Sequence, residues 1–454
     1  MKRFWLVLLT LGLVMAFSTS VFAADVKFTG SFYAAGMYLD NTSFMGNGSE
    51  KPSTAFYYQR MRIKAEFIAT PALKLVTQFD AMERMWGHVR STVPPVTAND
   101  VDSYGTRAEN ENIAFDYAYV WYASKIGIWE VGIMEDGVWG TQFGDNSEPE
   151  GKIKYTFIKM PFIAGLQIVK LNEFSDNAVN ASVYSDRDVD KYQGFFIFNW
   201  KGGQAGVLGI FINNRSMKPN FWLWPVASSY TQQVYGAQPY VKAKFGPVAV
   251  EAEAWYLTGK VMKWQDEFPA ILLNDIDLSA WSVYVNAVAD FNMFYFGGTF
   301  AYLSGDDPTT TDKIEGGAGT VNGGRDWNPC LIMFNWDRNY WAGAMAGYGV
   351  TADSGVMTNA YFGQLKAGVR PISDLDIALS VAYAKADKLP TGYFEKDYGW
   401  EVDVTATYKI TNNLSYMLGA GYLFTGDYYE ATRAVITDNV EDNFIVLNKL
   451  TLTF

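Results

Sequence analysis

The sequence has one cysteine, Cys330, and one histidine, His88, among its 454 residues. A single cysteine excludes an intrachain disulfide. Together the two residues exclude a C-x-x-C-H haem attachment and zinc sites built from several Cys and His ligands. We therefore expect no cofactor. Catalysis by a histidine base would depend on His88, which we interpret as an exposed loop residue, so we predict no enzymatic activity.

Charged side chains are also scarce. They make up 19% of the residues, whereas a typical soluble domain has about 25%. The balance is acidic, with a formal net charge of −12, which argues against nucleic acid as a partner because its phosphates carry the same sign of charge. Beyond the amino-terminal segment there is no run of about 18 apolar residues, so we expect no transmembrane helix.

Aromatic side chains are abundant. Phe, Trp and Tyr make up 17% of the chain and apolar residues 49%, yet the mean hydropathy is only −0.05. A helical membrane protein would be more apolar, and a soluble enzyme seldom exposes so much Tyr and Trp. Both properties are typical of a transmembrane β-barrel, in which only alternate residues face lipid and aromatic girdles lie at both membrane interfaces.

The amino-terminal segment is typical of an export signal. Lys2 and Arg3 precede an apolar run from Trp5 to Phe17, and residues 21–23 have the small-residue pattern of a cleavage site. The alternative is a membrane anchor, but the run is shorter than the roughly 20 residues that span a bilayer as a helix. We predict a signal peptide over residues 1–23 and one barrel domain over residues 24–454.

The remaining chain repeats a simple unit of two alternating stretches joined by a tight turn and followed by a longer polar loop. In residues 56–67, apolar side chains alternate with Arg60, Arg62 and Lys64. A period of two with an unbroken apolar face predicts strands that have one lipid-facing side.

The turns determine the predicted architecture. Eight short turns each join two strands, and single strands at residues 27–39 and 442–454 bring the total to about 18. An even number places both termini on the periplasmic side. We predict an all-β, antiparallel, up-and-down transmembrane barrel with short periplasmic turns and long extracellular loops. Residues 331–340 fit either a further strand or an inserted loop. The turns are predicted at residues 70–72, 124–127, 161–162, 201–203, 246–247, 291–292, 370–374 and 411–413.

The last strand has the most specific local pattern. Phe454 is the terminal residue, and Leu452 and Leu450 share its face. This pattern resembles the membrane-insertion signal of Gram-negative outer-membrane proteins. Together with the hairpin over residues 408–429, it makes the chain resemble the bacterial porins, in particular the general-porin and alginate-export-type barrels of proteobacteria.

The resemblance implies a location in the cell outer membrane, contact with its lipids and with the barrel-assembly machinery, and passive passage of small hydrophilic solutes. Similarity to the general porins implies a homotrimer, whereas alginate-export-type barrels act as monomers, so the oligomeric state stays open.

The polar strand faces supply the candidate pore lining. Basic residues on the second strand would lie across the ring from acidic residues on the eleventh, and such opposed charges would create a transverse field, as in the constriction of general porins. The alternative is local ion pairing between neighbouring strands. The predicted pore-lining residues are the basic Arg60, Arg62, Lys64, Arg84, Lys152 and Lys154 and the acidic Glu251, Glu253, Asp376, Glu401 and Asp403.

The longest loop, residues 304–353, carries Asp306, Asp307 and Asp312. Carboxylate oxygens suit Ca²⁺, but the spacing fits no EF-hand loop. We favour a solvated acidic turn and predict no metal. The apolar residues 331–334 of this loop must be buried, which predicts inward folding or contact with a neighbour.

These features predict a porin that forms a water-filled channel for ions and small hydrophilic solutes. One alternative is a channel selective for a carbohydrate or an anionic solute, and another is a barrel that sheathes a separate partner protein. Acids in the outer loops, such as Asp145 and Glu148, predict a weak preference for cations at low salt. A basic ladder at the narrowest point would instead favour anions.

Overall fold

The computed structural model describes residues 25–41, 53–87, 113–174, 187–217, 230–264, 274–317, 319–343, 355–433 and 440–454. The predicted signal peptide lies outside the described residues. Within the described ranges, no helix has the length and apolar character needed to cross a membrane.

Eighteen antiparallel strands form one closed barrel. Each strand pairs with its neighbours along the chain, and β1 closes the ring by pairing with both β2 and β19. The two-residue β14 lies outside this ring order and pairs in parallel with the start of β12. The strands are β1 (Asp25–Leu39), β2 (Thr54–Thr70), β3 (Leu73–Met85), β4 (Ile113–Ser124), β5 (Gly127–Glu135), β6 (Pro149–Lys159), β7 (Phe162–Asn172), β8 (Val189–Trp200), β9 (Gly203–Asn214), β10 (Tyr230–Phe245), β11 (Val248–Trp264), β12 (Ile276–Asp290), β13 (Phe294–Leu303), β14 (Lys313–Ile314), β15 (Ala360–Ile372), β16 (Leu375–Ala386), β17 (Asp397–Lys409), β18 (Leu414–Thr425) and β19 (Asn443–Thr453).

The predicted turns all join strands, which confirms the predicted architecture. The tightest cases include the turn between β8 and β9, where Gly202 has a φ of 93° that favours glycine. The ambiguous residues 331–340 belong to an inserted loop and to its short helix α1 (Trp336–Ala342), not to a wall strand. A 3₁₀ helix, Asp427–Arg433, follows β18. The connections at the opposite rim from the turns are long, and two of them matter below: loop 3 (residues 136–148) and loop 7 (residues 304–359).

Alternation determines which side chains face outward. On β17, Trp400 is 52% exposed and Val404 is 45% exposed, whereas Glu401 and Asp403, which lie between them in the sequence, are buried. On β18, Leu418 and Phe424 are exposed and Leu423 is fully buried. The barrel therefore presents an apolar outer surface, as lipid contact requires.

The hydrophobic core lies inside the barrel. Loop 7 brings Ile332, Met333 and Phe334 against inward-facing side chains of the wall near the long-loop rim. The inward face is thus apolar along part of its length, which the alternation pattern alone did not predict. The wall residues of this core include Met37, Leu39, Leu303, Phe362, Ala382, Ala384, Leu423 and Ile445.

Candidate functional site: the lumen and its two inward loops

Loop 3 leaves β5 and folds into the lumen, where it reaches a distant part of the wall. The Trp139 side chain donates its Nε1–H to the carbonyl oxygen of Gln238 on β10, at 2.9 Å. The backbone N–H of Thr141 donates to Glu253 Oε2 on β11, at 2.8 Å. Phe143 stacks on Tyr284 of β12, with ring centroids 4.9 Å apart. Because these wall residues face inward, loop 3 crosses the interior of the barrel.

Loop 7 folds inward from another side of the ring. Two consecutive backbone N–H groups donate to the two carboxylate oxygens of Glu401 on β17: Ile332 to Oε1 at 2.6 Å and Met333 to Oε2 at 2.7 Å. Leu331 N–H donates to Asp403 Oδ2 at 3.3 Å. The apolar residues 331–334 are therefore buried inside the barrel rather than against a neighbouring molecule.

The two loops contact each other and act as one obstruction. The backbone N–H of Gly144 donates to the Gly323 carbonyl at 2.9 Å, and that of Asp326 donates to the Asp145 carbonyl at 3.1 Å. An ion pair between Arg325 and Glu148 joins the same segments. This two-loop unit therefore narrows the interior of the barrel.

Basic residues of the inward wall are paired with acids on nearby strands or, for Lys152, with acids of its own strand and of loop 3. Arg62 makes a bidentate contact with Asp80 on β3, at 2.7 and 2.6 Å, and Arg60 lies 3.3 Å from Glu83. This arrangement is the local ion pairing that was the alternative to a transverse field. We call the inward face of β2, β3, β5, β6 and β8 the ion-paired wall. Its further pairs are Lys154 with Glu130 at 3.1 Å, Lys152 with Asp136 and Glu150 at 3.7 Å each, and Lys191 with Glu150 at 2.6 Å.

Two of the predicted basic residues, Lys64 and Arg84, do not belong to these ion pairs of the inward wall. Lys64 has no carboxylate at ion-pair distance within the described part of the chain. Arg84 lies opposite Gln59 in the β2–β3 register. Gln59 is two residues from Tyr57, which is 52% exposed on the outer face, so Arg84 shares that outer face. An irregularity in the β2–β3 register, where Met82 has a φ of 54°, shifts the alternation by one residue. Arg84 therefore does not take the inward position that strict alternation predicts, because a bulge exchanges the two faces of a strand.

The predicted acidic residues mainly accept hydrogen bonds from loops and neighbouring strands. Glu251 accepts from the Tyr284 hydroxyl at 2.9 Å. Asp376 accepts from the Tyr295 hydroxyl at 2.9 Å and from Arg370 Nε at 3.0 Å. The remaining three, Glu253, Glu401 and Asp403, bind the backbone of loops 3 and 7. Their part in lining the pore stays a prediction. The sequence offered no signal for the loop contacts, since the partners lie far away along the chain.

The terminal residues close the ring. Phe454 and Gly30 exchange two backbone hydrogen bonds, at 2.8 and 3.0 Å. In the register, Leu452 pairs with Phe32 of β1 and Leu450 with Ala34. The last strand is thus joined to the first. The role of these residues as an insertion signal stays a prediction.

The acidic turn of loop 7 is held by protein groups. Asp307 accepts from the Thr309 hydroxyl and, at 2.9 Å, from Lys388 Nζ, and these contacts hold the pKa of its carboxyl below the usual value. Asp306 accepts from the Glu315 N–H at 3.0 Å. Asp312 contributes its backbone carbonyl to the Asp277 N–H. These contacts favour the reading of this segment as an acidic turn.

Among the described residues, three potential metal ligands lie close together elsewhere in loop 7 and the wall: Cys330, Glu401 and Asp403. Their ligand atoms lie within 4.8 Å of one another. Both oxygens of Glu401 already accept backbone N–H groups. Burial raises the pKa of the Cys330 thiol, which keeps it in the protonated form that does not bind metals. The cluster is therefore suited to holding loop 7 rather than an ion.

Cavities along the inward wall include two that are lined by described residues. The larger, about 580 Å³, is near the short-turn rim and is lined by polar side chains that include Gln204, Lys242, Glu251 and Asn286. The smaller, about 290 Å³, lies between loop 7 and strands β13 and β15–β17, where Lys366 is the basic residue. Both offer hydrogen-bonding groups to the interior of the barrel.

A closed, lipid-facing barrel narrowed by inward loops is the architecture of outer-membrane porins. No protein-family model and no curated protein matches the chain. Among solved structures, a BenF-like porin from Pseudomonas fluorescens Pf-5 is similar with 9% identity, coverage of 94% of this chain and 99% of that chain, and a TM-score of 0.52.

Two Pseudomonas aeruginosa proteins are also similar. OccK9 (OpdG) has 13% identity, coverage of 94% and 99%, and a TM-score of 0.51. OccK2 (OpdF) has 10% identity, coverage of 94% and 98%, and a TM-score of 0.50. The chain thus has the fold of the outer-membrane porins, which confirms the fold predicted from its sequence. At these identities the similarity concerns the fold.

Proposed function

We propose that this protein is a porin of the outer membrane, a channel rather than an enzyme, through which ions and small hydrophilic solutes diffuse passively. The observation that carries the proposal is the closed barrel with two of its loops folded into the lumen. A purely structural barrel has no need to build a narrowed, charge-lined interior. In this membrane the short turns lie in the periplasm and the long loops outside.

The inward loops also argue against the alternative that the barrel encloses a separate partner protein. Loops 3 and 7 cross the lumen and contact each other, and loop 7 fills one side of it with a hydrophobic core. A barrel that encloses a folded partner needs a clear interior. We therefore favour small solutes over a partner protein as the content of the channel.

A second candidate function, selectivity for anionic solutes, is favoured by the charge pairing. Asp145 is buried and Glu148 is paired with Arg325, so these acids add little to an acidic mouth. On the inward wall, Lys64 and Lys366 have no carboxylate at ion-pair distance within the described part of the chain. These unpaired cations favour anions along their part of the solute path, against the cation preference expected from sequence.

Planar-bilayer recording of the purified, folded protein tests both candidates. Stepwise conductance increases in symmetric KCl are expected from a porin. In a dilute KCl gradient, a reversal potential of the anion-selective sign supports the second candidate, and the opposite sign rejects it. Folded protein that gives no conductance steps would reject the channel function itself.

Two further expectations complete the proposal. Phe454, with Leu452 and Leu450, serves as the signal that the barrel-assembly machinery reads during insertion, and the barrel forms a homotrimer. Chemical crosslinking in isolated membranes tests the oligomer: a ladder that ends at three subunits supports it, and a single monomer band contradicts it.

A further inference from the structure

Glu401 binds loop 7 through an unusually complete set of contacts. Its carboxylate is fully buried, and its two oxygens accept from two successive backbone N–H groups, those of Ile332 and Met333. A buried backbone N–H without an acceptor is costly, and the two oxygens of Glu401 supply an acceptor to each of these two donors. This one side chain thus fixes both the position and the orientation of the loop backbone.

Asp403 and strand β18 complete the docking site. Asp403 Oδ2 accepts from Leu331 N–H and, at 3.4 Å, from Ser380. Opposite Leu331, β18 presents Gly421 rather than a side chain. A Cβ at Gly421 would lie 2.5 Å from Asp403 Oδ1 and 3.2 Å from Leu331 Cβ. The wall therefore leaves space for the loop where it docks.

The docked segment determines where the rest of loop 7 lies. Cys330 is 2% exposed beneath it. Helix α1 follows directly, and its Trp341 contacts Tyr58 on β2 with ring centroids 4.5 Å apart. Loop 7 thus reaches from β17 to β2 across the interior. A shift of residues 331–333 would move this bridge and change the free cross-section.

We propose that Glu401 and Asp403 are positioning residues that latch loop 7 across the lumen and thereby set the size of the constriction. The inference rests on the proposed channel function for its effect on conductance, while the latch itself is a property of the folded chain. Glu401 and Asp403 act through loop 7, by holding its backbone against β17 and β18.

Glu401→Gln tests the latch, because the amide would place an N–H₂ group against one of the two backbone donors. The native Cys330 reports release of the loop through its rate of reaction with a soluble thiol reagent. We expect labelling at least on the order of tenfold faster than in the unchanged protein, because a buried backbone N–H left without its acceptor shifts the local opening equilibrium by about that factor. Single-channel conductance should rise in the same variant.

Two matched pairs of variants keep the test falsifiable. Glu130→Gln removes a luminal carboxylate that pairs with Lys154 and does not contact loop 7, so it should leave Cys330 labelling unchanged. Gly421→Ala should displace the loop without any change of charge. Its control, Gly363→Ala on the lipid side of β15, has open space for the added Cβ and should change neither readout.

Heat-dependent migration on a denaturing gel confirms that each barrel is folded. Faster Cys330 labelling in Glu401→Gln and Gly421→Ala supports the latch. Unchanged labelling in a folded Gly421→Ala protein overturns it, even if Glu401→Gln does not fold. Faster labelling without a rise in conductance overturns the claim that the latch sets the constriction. If the unchanged protein conducts no ions at all, the channel function fails, whereas the labelling result still decides the latch.

Discussion

The two sides of the lumen contrast in how they satisfy inward-facing charge. On the ion-paired wall, carboxylates such as Asp80 bind cationic side chains of adjacent strands. The loop-packed wall is the inward face of β1 and β15–β19 near the long-loop rim, and it adjoins the ion-paired wall at β2. There, Glu401 binds the backbone of loop 7 within a hydrophobic core. The same alternating sequence pattern therefore builds a polar surface on one side and a dry loop-docking surface on the other.

The contrast shows that an inward-facing carboxylate has no single role. An acid beside a cation on the next strand neutralises it, whereas an acid beneath a loop stabilises that loop. The four predictions that follow, from the largest expected effect to the smallest, test whether the two walls differ in this way.

The largest effect is expected from removal of a large side chain on the loop-packed wall. Phe362 is 1% exposed and its ring meets Trp327 and Phe334 of loop 7. Phe362→Ala should lower the free energy of unfolding by about 3–4 kcal/mol, since it leaves a cavity in a packed core. Urea titration in lipid vesicles measures this. Leu365→Ala, on the lipid side of the same strand, is the control. An equal loss in both variants would mean that no packed core lies inside the barrel.

On the ion-paired wall, Arg62→Ala should cost less, about 1–3 kcal/mol, because Arg62 is itself 35% exposed and its removal lets water reach the buried Asp80. The same titration measures it. Combining Arg62→Ala with Asp80→Asn should recover part of the loss, since the neutral amide needs no cation. If the double variant is less stable than the sum of the single changes, the pair does not act as a local unit.

The docking of loop 3 inside the barrel should depend on pH. Burial raises the pKa of Asp145 from 3.8 to about 9. Between these two pH values, Asp145 is protonated in the docked loop and ionised in a released, solvated loop. The free energy of docking therefore becomes less favourable as the pH rises through this window, and it is constant above it. Conductance should therefore increase toward alkaline pH. Asp145→Asn cannot lose a proton and should flatten the profile. A pH profile that is the same in both proteins would contradict this account.

The smallest effect concerns a single unpaired cation. Lys64→Gln should shift the reversal potential toward cation selectivity by a few millivolts at low salt and by less at 1 M, where the Debye length is about 3 Å. Lys154 is already paired with Glu130, so Lys154→Gln serves as the paired counterpart. Its removal frees that acid and should produce the larger shift. Equal shifts would indicate that pairing does not control the field along the pore.

Much of the barrel could be predicted because its determinants are local. Alternation with a period of two marks each wall strand, and the short turns, such as that at Lys201-Gly202, mark where the chain reverses. The even strand number predicts that β19 and β1 run antiparallel where the barrel closes. Arg84 shows the limit of this reasoning, since one bulged position near Met82 exchanges the faces of the residues after it.

The sequence by itself determined a barrel of about 18 strands, their order and the face that most side chains take, because these depend on neighbours within a few residues. Only the tertiary structure decided what Glu253 and Glu401 do. In the sequence they resemble any polar residue of an inward strand face, and their partners, Thr141 and Ile332, lie 112 and 69 residues away. Contacts at such separations arise only when the closed barrel brings its loops over its own interior, where backbone N–H groups that have left water must find an acceptor.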